Sequence, residues 1–279
     1  MRVLCIDGGG VFGVGPAAII EMAGVQATID KFDAFVGTSI GSVIAVSLAM
    51  GKNAAVSRDY FHNEMPRIFK RNAWRQRLSL FCAKYGDEGL NKSLQGIFDG
   101  APMLACKKPV FVTAADVGSR NLKVFKSTDF NDGAWRAWEV CRAATAAETY
   151  FPAWKGLADG GVFANNPTMV GIAGVSRSLN VPLTEIEVFS IGTGDKSGYS
   201  SRVPKGKIGW GAWLIEAMLD GAADKMHEYF ARSMPLKSYQ RWQFIRNPEW
   251  QMDDPKCMFK AEMEWASDLA KATDALKAF

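Results

Sequence analysis

The order of apolar and polar positions along the chain predicts alternating short strands and helices. Arg2-Val3-Leu4-Cys5-Ile6 is an apolar run in front of a glycine cluster, the pattern of a buried strand. Asp7-Gly8-Gly9-Gly10-Val11-Phe12-Gly13 follows as a loop whose glycines are free to take positive φ. Pro16 marks the first turn of a helix predicted from Ala17 to Ala23 and ended by Gly24. Phe32-Asp33-Ala34-Phe35-Val36 reads as a second buried strand, and Ser42 to Met50 as an apolar helix. Between them lies Gly37-Thr38-Ser39-Ile40-Gly41, a sharp strand-to-helix turn.

From Lys52 to Gly100 the pattern is helical and more polar, with aromatics at helical spacing in Arg58 to Lys70 and Asn72 to Tyr85. This stretch predicts a helical insertion or cap over the sheet. Pro109 to Ala115 is the next strand, and Leu122 to Lys126 alternates as its antiparallel neighbour would. Trp135 to Ala147 predicts a helix, and Tyr150 to Trp154 an extended piece, because Pro152 disfavours helix before it. Leu157-Ala158-Asp159-Gly160-Gly161 places an aspartate at a turn, with a helix beyond Asn165-Asn166-Pro167 running to Leu179. Glu185 to Ile191 is the last clear central strand. A loop over 198–209, a Trp-rich helical region over 208–231, an outer strand over 239–245 and an amphipathic helix over 259–279 complete the chain. The alternation argues an α/β fold with a mainly parallel sheet covered by helices on both faces.

Length leaves a choice between one large α/β domain and two small ones: 279 residues fit either. There is no repeat, no low-complexity tract and no Pro/Ser-rich linker, so one domain over 1–279 is expected, with the insertion at 52–100 and a peripheral part at 196–279. The net charge of +4 is mildly basic and scattered, except for five basic residues within Arg67 to Arg77. That cluster reads as a solvated helix face or as an attraction to an anionic membrane surface. No reader motif accompanies it, so nucleic acid is not an expected partner. The five cysteines are odd in number and none has metal-ligand spacing, which fits reduced thiols in a cytoplasmic protein. Cys5 and Cys141 are expected in the core. With a strand starting at Arg2 and no apolar run of about 18 residues, neither a signal peptide nor a membrane span is expected.

The chemistry centres on Ser39. A serine between Gly37 and Gly41, at a strand-to-helix turn, is a nucleophile elbow, and the helix after it favours negative charge at the serine oxygen. An acyl intermediate needs an oxyanion site, and Gly8, Gly9 and Gly10 offer adjacent backbone N–H groups at the same carboxyl edge of the sheet. For the base there are two histidines, His62 and His227. A triad of Ser39, Asp159 and His227 is possible on paper, but His227 falls inside a helical pattern, and residue 39 is early for an α/β-hydrolase nucleophile. His62 reads as a partly exposed helix residue. Asp159, on its Gly-flanked segment, is the alternative base if it is oriented and desolvated enough to raise its pKa. Taken alone, Asp-Gly-Gly is also a plain turn.

Three ordered motifs carry a resemblance: Asp7-Gly8-Gly9-Gly10-x-x-Gly13, Gly37-Thr38-Ser39-Ile40-Gly41 and Asp159-Gly160-Gly161. Together with Ala143 to Ala147, Tyr150-Phe151-Pro152, Asn165-Asn166-Pro167 and Ser190 to Gly194, they resemble the patatin-like phospholipase family over about residues 2–195. The resemblance implies a three-layer α/β/α sheet and a Ser39–Asp159 dyad with an oxyanion hole at Gly8, Gly9 and Gly10. It also implies hydrolysis of fatty-acyl esters through an acyl-enzyme, with no metal or cofactor. The implied partner is a phospholipid or other acyl-ester lipid met at the membrane surface. Relatives commonly carry Arg or Lys where this chain has Phe12, which puts any anion contact there in doubt; Phe12 reads as an acyl-channel wall or a packing residue. Apolar residues of 52–100 and the Trp210/Trp213 region are candidates for acyl or membrane contact, core packing being the other reading of the tryptophans. Rival readings are an acyl transferase or thioesterase with the same serine, a nucleotide-binding protein using the glycine loop, and a catalytically idle binding module.

Overall fold

Strand β1 (Arg2–Ile6) sits inside a seven-stranded sheet between β2 (Ala34–Thr38) and β6 (Glu187–Ile191). The computed structural model describes residues 1–70, 82–196, 203–219 and 222–279. The order across the sheet is β4-β3-β2-β1-β6-β8, where β3 is Val110–Asp116, β4 Asn121–Lys126 and β8 Ser238–Trp242. The short β5 (Leu157–Asp159) also pairs with β3. All pairings are parallel except those of β4 and β5, which run antiparallel to β3. A second, two-stranded sheet joins β7 (Asp195–Lys196) to β9 (Ile245–Arg246).

The alternation of side chains along the strands produces three layers. Leu4, Ile6, Phe35 and Val112 point into a core shared with helices α1 (Val14–Ala23) and α3 (Ile40–Met50). Val3, Cys5, Val36 and Phe111 point the other way, against Ile172 and Val175 of the helix Thr168–Ser178. Burial on both faces is why β1 and β2 read as continuous apolar runs. The α3 side also takes α4 (Arg58–Ile68), α5 (Glu88–Phe98) and α6 (Ala137–Ala144). On the other face Thr168–Ser178 is α7, packed against α9 (Ala222–Ser233), with α8 (Gly206–Leu219) beside them.

Several elements differ from the sequence reading. A second helix, α2 (Val25–Lys31), restarts after Gly24, whose φ of 95° allows a 90° bend. Only Thr28 and Ile29 of α2 are buried, too few to give a helical period. The C-terminal helix is split into α10 (Pro255–Glu264) and α11 (Ala266–Ala278), and Trp265 at the break stacks on Phe244 at 4.3 Å. The part read as peripheral supplies the edge strand β8, while Phe279 at its end packs on Phe32 and Phe189. Within 52–100, residues 72–81 of the expected 72–85 helix and most of the Arg67–Arg77 cluster lie outside the described residues. No single described helix is long and apolar enough to cross a membrane.

Candidate active site

One edge of β3 brings the serine and the aspartate together. β2 pairs with that edge as far as Thr38 opposite Thr113. β5 takes over at the next residue, with Asp159 opposite Ala114. Ser39 and Asp159 thus leave two strands that meet end to end along a third. The sequence reading put Asp159 at a turn; it is the last residue of a three-residue strand, too short to show alternation. Thr38 and Thr113 fasten the junction through their hydroxyls at 2.6 Å, and Thr38 Oγ1 also donates to the Ala164 carbonyl at 2.6 Å.

Ser39 is held at φ 51° and ψ −126°, a conformation that costs a non-glycine residue about 1–3 kcal/mol. The glycines beside it are required by contact. A Cβ on Gly37 would lie 2.3 Å from the Gly41 carbonyl oxygen, and one on Gly41 2.2 Å from the Ile6 carbonyl oxygen. The elbow is therefore pressed directly onto β1 and the start of α3, with Ser39 at the N-terminus of a helix whose dipole favours an anion.

Asp159 is only 1% exposed. Its Oδ1 accepts the Gly161 N–H at 2.8 Å, and its Oδ2 is buried without a hydrogen-bond partner of normal geometry. Burial pushes its carboxyl up to about 7, against the opposing pull of the Ser39 hydroxyl and the Gly161 N–H. A carboxyl in this range is a competent base near neutral pH. Gly160 lies so close to β3 that a Cβ would meet Thr113 Oγ1 at 2.2 Å.

The glycine loop corrects one expectation. The Gly8 N–H is already donated to the Asn165 carbonyl at 3.1 Å, which removes Gly8 from the expected oxyanion donors. Gly9 and Gly10 line the pocket above Ser39 and donate to no acceptor among the described residues. Gly8 instead anchors the loop, its carbonyl accepting the Thr193 hydroxyl. Gly10 follows at φ 58°, packed under the Met252 carbonyl, which accepts the Val11 N–H at 2.9 Å. Gly13 presses on the Ile40 side chain. Asp7 forms a fully buried two-pronged pair with Arg241, at 2.6 and 3.3 Å, and Arg241 also donates to Ser190 Oγ. The motif phrases thus acquire physical roles: Asn165, Ser190 and Thr193 tie the loop down, and Arg241, which the sequence reading did not single out, balances its acid.

Phe12 does not line the pocket; it is buried against Trp250 and Trp265, with the Arg246 guanidinium 4.9 Å over its ring. The pocket itself encloses about 680 Å³ including its mouth. Its floor is Ser39, Asp159 and Gly10, and its walls include Met65, Ile68, Phe69 and Leu94 from the 52–100 stretch. Apolar walls and two buried carboxyls, Asp159 and Asp253, make a poor cradle for a polyphosphate, so the phosphate-loop reading finds no support here. His227 lies buried in α9 with Nδ1 on the Asn166 carbonyl, and His62 pairs with Glu262 at 2.6 Å; neither lines the pocket. Trp210 and Trp213 are each 45% exposed and pack edge to face, which excludes the core reading.

A sequence model described as patatin-like phospholipase matches residues 4–172. Among curated proteins, the chain is 25% identical over 291 residues to a cGAMP-activated phospholipase of Vibrio cholerae, covering 88% of this chain and 80% of the relative. It is 25% identical over 296 residues to patatin-like protein 3 of Arabidopsis thaliana, covering 82% and 68%. Among solved structures, VipD from Legionella pneumophila superposes with a TM-score of 0.49 at 12% identity; the match covers 98% of this chain and 66% of that one.

Proposed function

This chain belongs to the patatin-like phospholipase family, and from that premise and the geometry at Ser39 we propose that it is a lipid acyl hydrolase cleaving fatty-acyl esters with a Ser39–Asp159 dyad. The observation that carries the reading is the handover on β3, which sets a desolvated carboxyl beside a strained serine under an apolar pocket.

In the proposed cycle, an acyl chain enters between α4 and α5, where Met65, Ile68 and Leu94 receive it. Asp159 takes the Ser39 proton as Oγ attacks the ester carbonyl. The Gly9 and Gly10 N–H groups hold the oxyanion, assisted by the N-terminus of α3. The proton on Asp159 passes to the departing alcohol, leaving an acyl-Ser39 ester. Water then gives its proton to the same aspartate and attacks the ester, and Asp159 returns that proton to Ser39 Oγ as the acyl–oxygen bond breaks and the fatty acid departs. The cycle calls on these groups and water alone. For the membrane surface, α8 offers Trp210, Trp213 and Leu214, all exposed, on a helix that packs against the 161–164 turn behind Asp159.

Incubation with vesicles of defined phospholipids, followed by product mass analysis, tests the reading. Wild type releases fatty acid, whereas Ser39→Ala and Asp159→Asn lose at least about 10³-fold, and His227→Gln stays within a few-fold. Turnover that survives Asp159→Asn but dies in folded His227→Gln would overturn the dyad.

A further inference from the structure

Glu148 plays no part in that cycle, yet its surroundings are unusual. The Asp159 N–H bonds the Ala146 carbonyl at 3.0 Å, so the chain leading to Glu148 runs along the end of β5. The residues after it are pinned as well. The Lys84 and Tyr85 N–H groups bond the Thr149 and Tyr150 carbonyls, each at 2.8 Å, and Thr149 takes φ 68°. Glu148 is thereby turned toward Asp159, close enough to feel its charge and its backbone N–H. Glu148 Oε1 and Asp159 Oδ2 are both buried carboxyl oxygens that lack a hydrogen bond of normal geometry.

A buried carboxyl oxygen with no donor is costly, and two neighbouring carboxyls in such a place do not both ionise readily. One proton between them satisfies both. We propose that Glu148 and Asp159 share a single proton in the resting protein, and that Glu148 is a positioning residue that holds the base toward Ser39. The role assigned to Glu148 rests on the reading of Asp159 as the base; the shared proton does not.

The neighbouring charges leave the pair to itself. Lys84 turns its ammonium to Asp253 and over the Tyr85 and Tyr150 rings. Arg142 is engaged by Asn91, the Pro152 carbonyl and Asp87. No cation among the described residues pairs with either carboxyl. Glu148 accordingly lies up at about 8, through burial and then the Asp159 charge, and Asp159 at about 7, through burial. The pair ionises in two steps. The first gives the working base. The second places two negative charges side by side, and the alignment with Ser39 is lost.

Infrared titration of the full chain reads the pair without reference to activity. Part of the carboxylic-acid absorbance lost near pH 8 in wild type is expected to be lost at lower pH in both Glu148→Gln and Asp159→Asn, over the contribution of Asp7 that all three proteins share. The second readout is the pH profile of kcat/KM on a soluble acyl ester. Wild type is expected to show an alkaline limb that Glu148→Gln abolishes while keeping the acid limb, because the amide still donates to Oδ2. Glu148→Ala also loses the alkaline limb, and its acid limb moves to higher pH, since the carboxylate has lost a donor. Identical infrared titrations in wild type, Glu148→Gln and Asp159→Asn would overturn the pair, and an alkaline limb that persists in Glu148→Gln would overturn its role in positioning the base. If the infrared coupling appears and no ester is hydrolysed, the hydrolase reading falls and the shared proton stands; hydrolysis without the coupling gives the reverse.

Discussion

At Ser39 and Asp159 the folded chain holds two side chains in conditions they would not adopt alone, one in a strained backbone and one out of water. The second cost has a definite pH dependence. The Asp159 carboxyl lies near 7 in the fold against an ordinary 3.8, so between those values the folded state keeps a proton that the unfolded chain gives up. Stability therefore falls as pH rises through that window, and the full cost, on the order of 4 kcal/mol, is present above about pH 7. Asp159→Asn removes it. Denaturant titrations should find this variant more stable than wild type at mildly alkaline pH, with the gain shrinking toward pH 4; equal stability at both would contradict the desolvated carboxyl. Activity runs the other way, and with Asp159 as the proposed base kcat/KM is expected to drop about tenfold per pH unit below about 7 as its carboxylate takes up a proton. Ser39 and Asp159 were legible because small residues flank them in the sequence itself. Asn165, Arg241 and Glu148 had no such signal as functional partners. What they do depends on which distant backbone they touch, and a bond such as Gly8 N–H to Asn165 is not written in either neighbourhood.

At the scale of elements, the glycines of the elbow measure how tightly α3 is pressed on β1. Gly41→Ala drives a Cβ into the carbonyls of Ile6 and Asp7, at 2.2 and 2.6 Å, which belong to a central strand and its exit and have nowhere to move. A loss of at least about 3 kcal/mol is expected in urea unfolding. Gly96, in α5, has nothing within 4 Å of its missing Cβ, and Gly96→Ala should stabilise by about 0.5–1 kcal/mol. Two variants with equal effects would contradict the packing described. The elements that the sequence revealed are those with enough buried residues to set a period, such as β1, β2, β3, α3 and α7. β5 has three residues and α2 two buried positions, so neither rises above its surroundings. The end of β2 was misplaced by two residues because Gly37 and Thr38 look like turn residues, yet they pair with Val112 and Thr113.

Across the whole molecule, Asp7 and Arg241 join the first strand's exit to the last strand of the main sheet, and both side chains are almost wholly buried. Neutralising one partner strands the other charge. Arg241→Met is expected to cost about 3–5 kcal/mol, and the double change Asp7→Asn with Arg241→Met less than that; thermal or urea unfolding of the three proteins checks the order. A double variant less stable than Arg241→Met would contradict a pair whose value lies in mutual compensation. The tie also sets a timetable for synthesis. A polypeptide still leaving the ribosome acquires Ser39 first and Asp159 next, but the guanidinium that steadies the glycine loop arrives only with residue 241. Unfinished chains are thus expected to be harmless to the lipids of the cell that makes them, the reaction being withheld until the closing strand is in place.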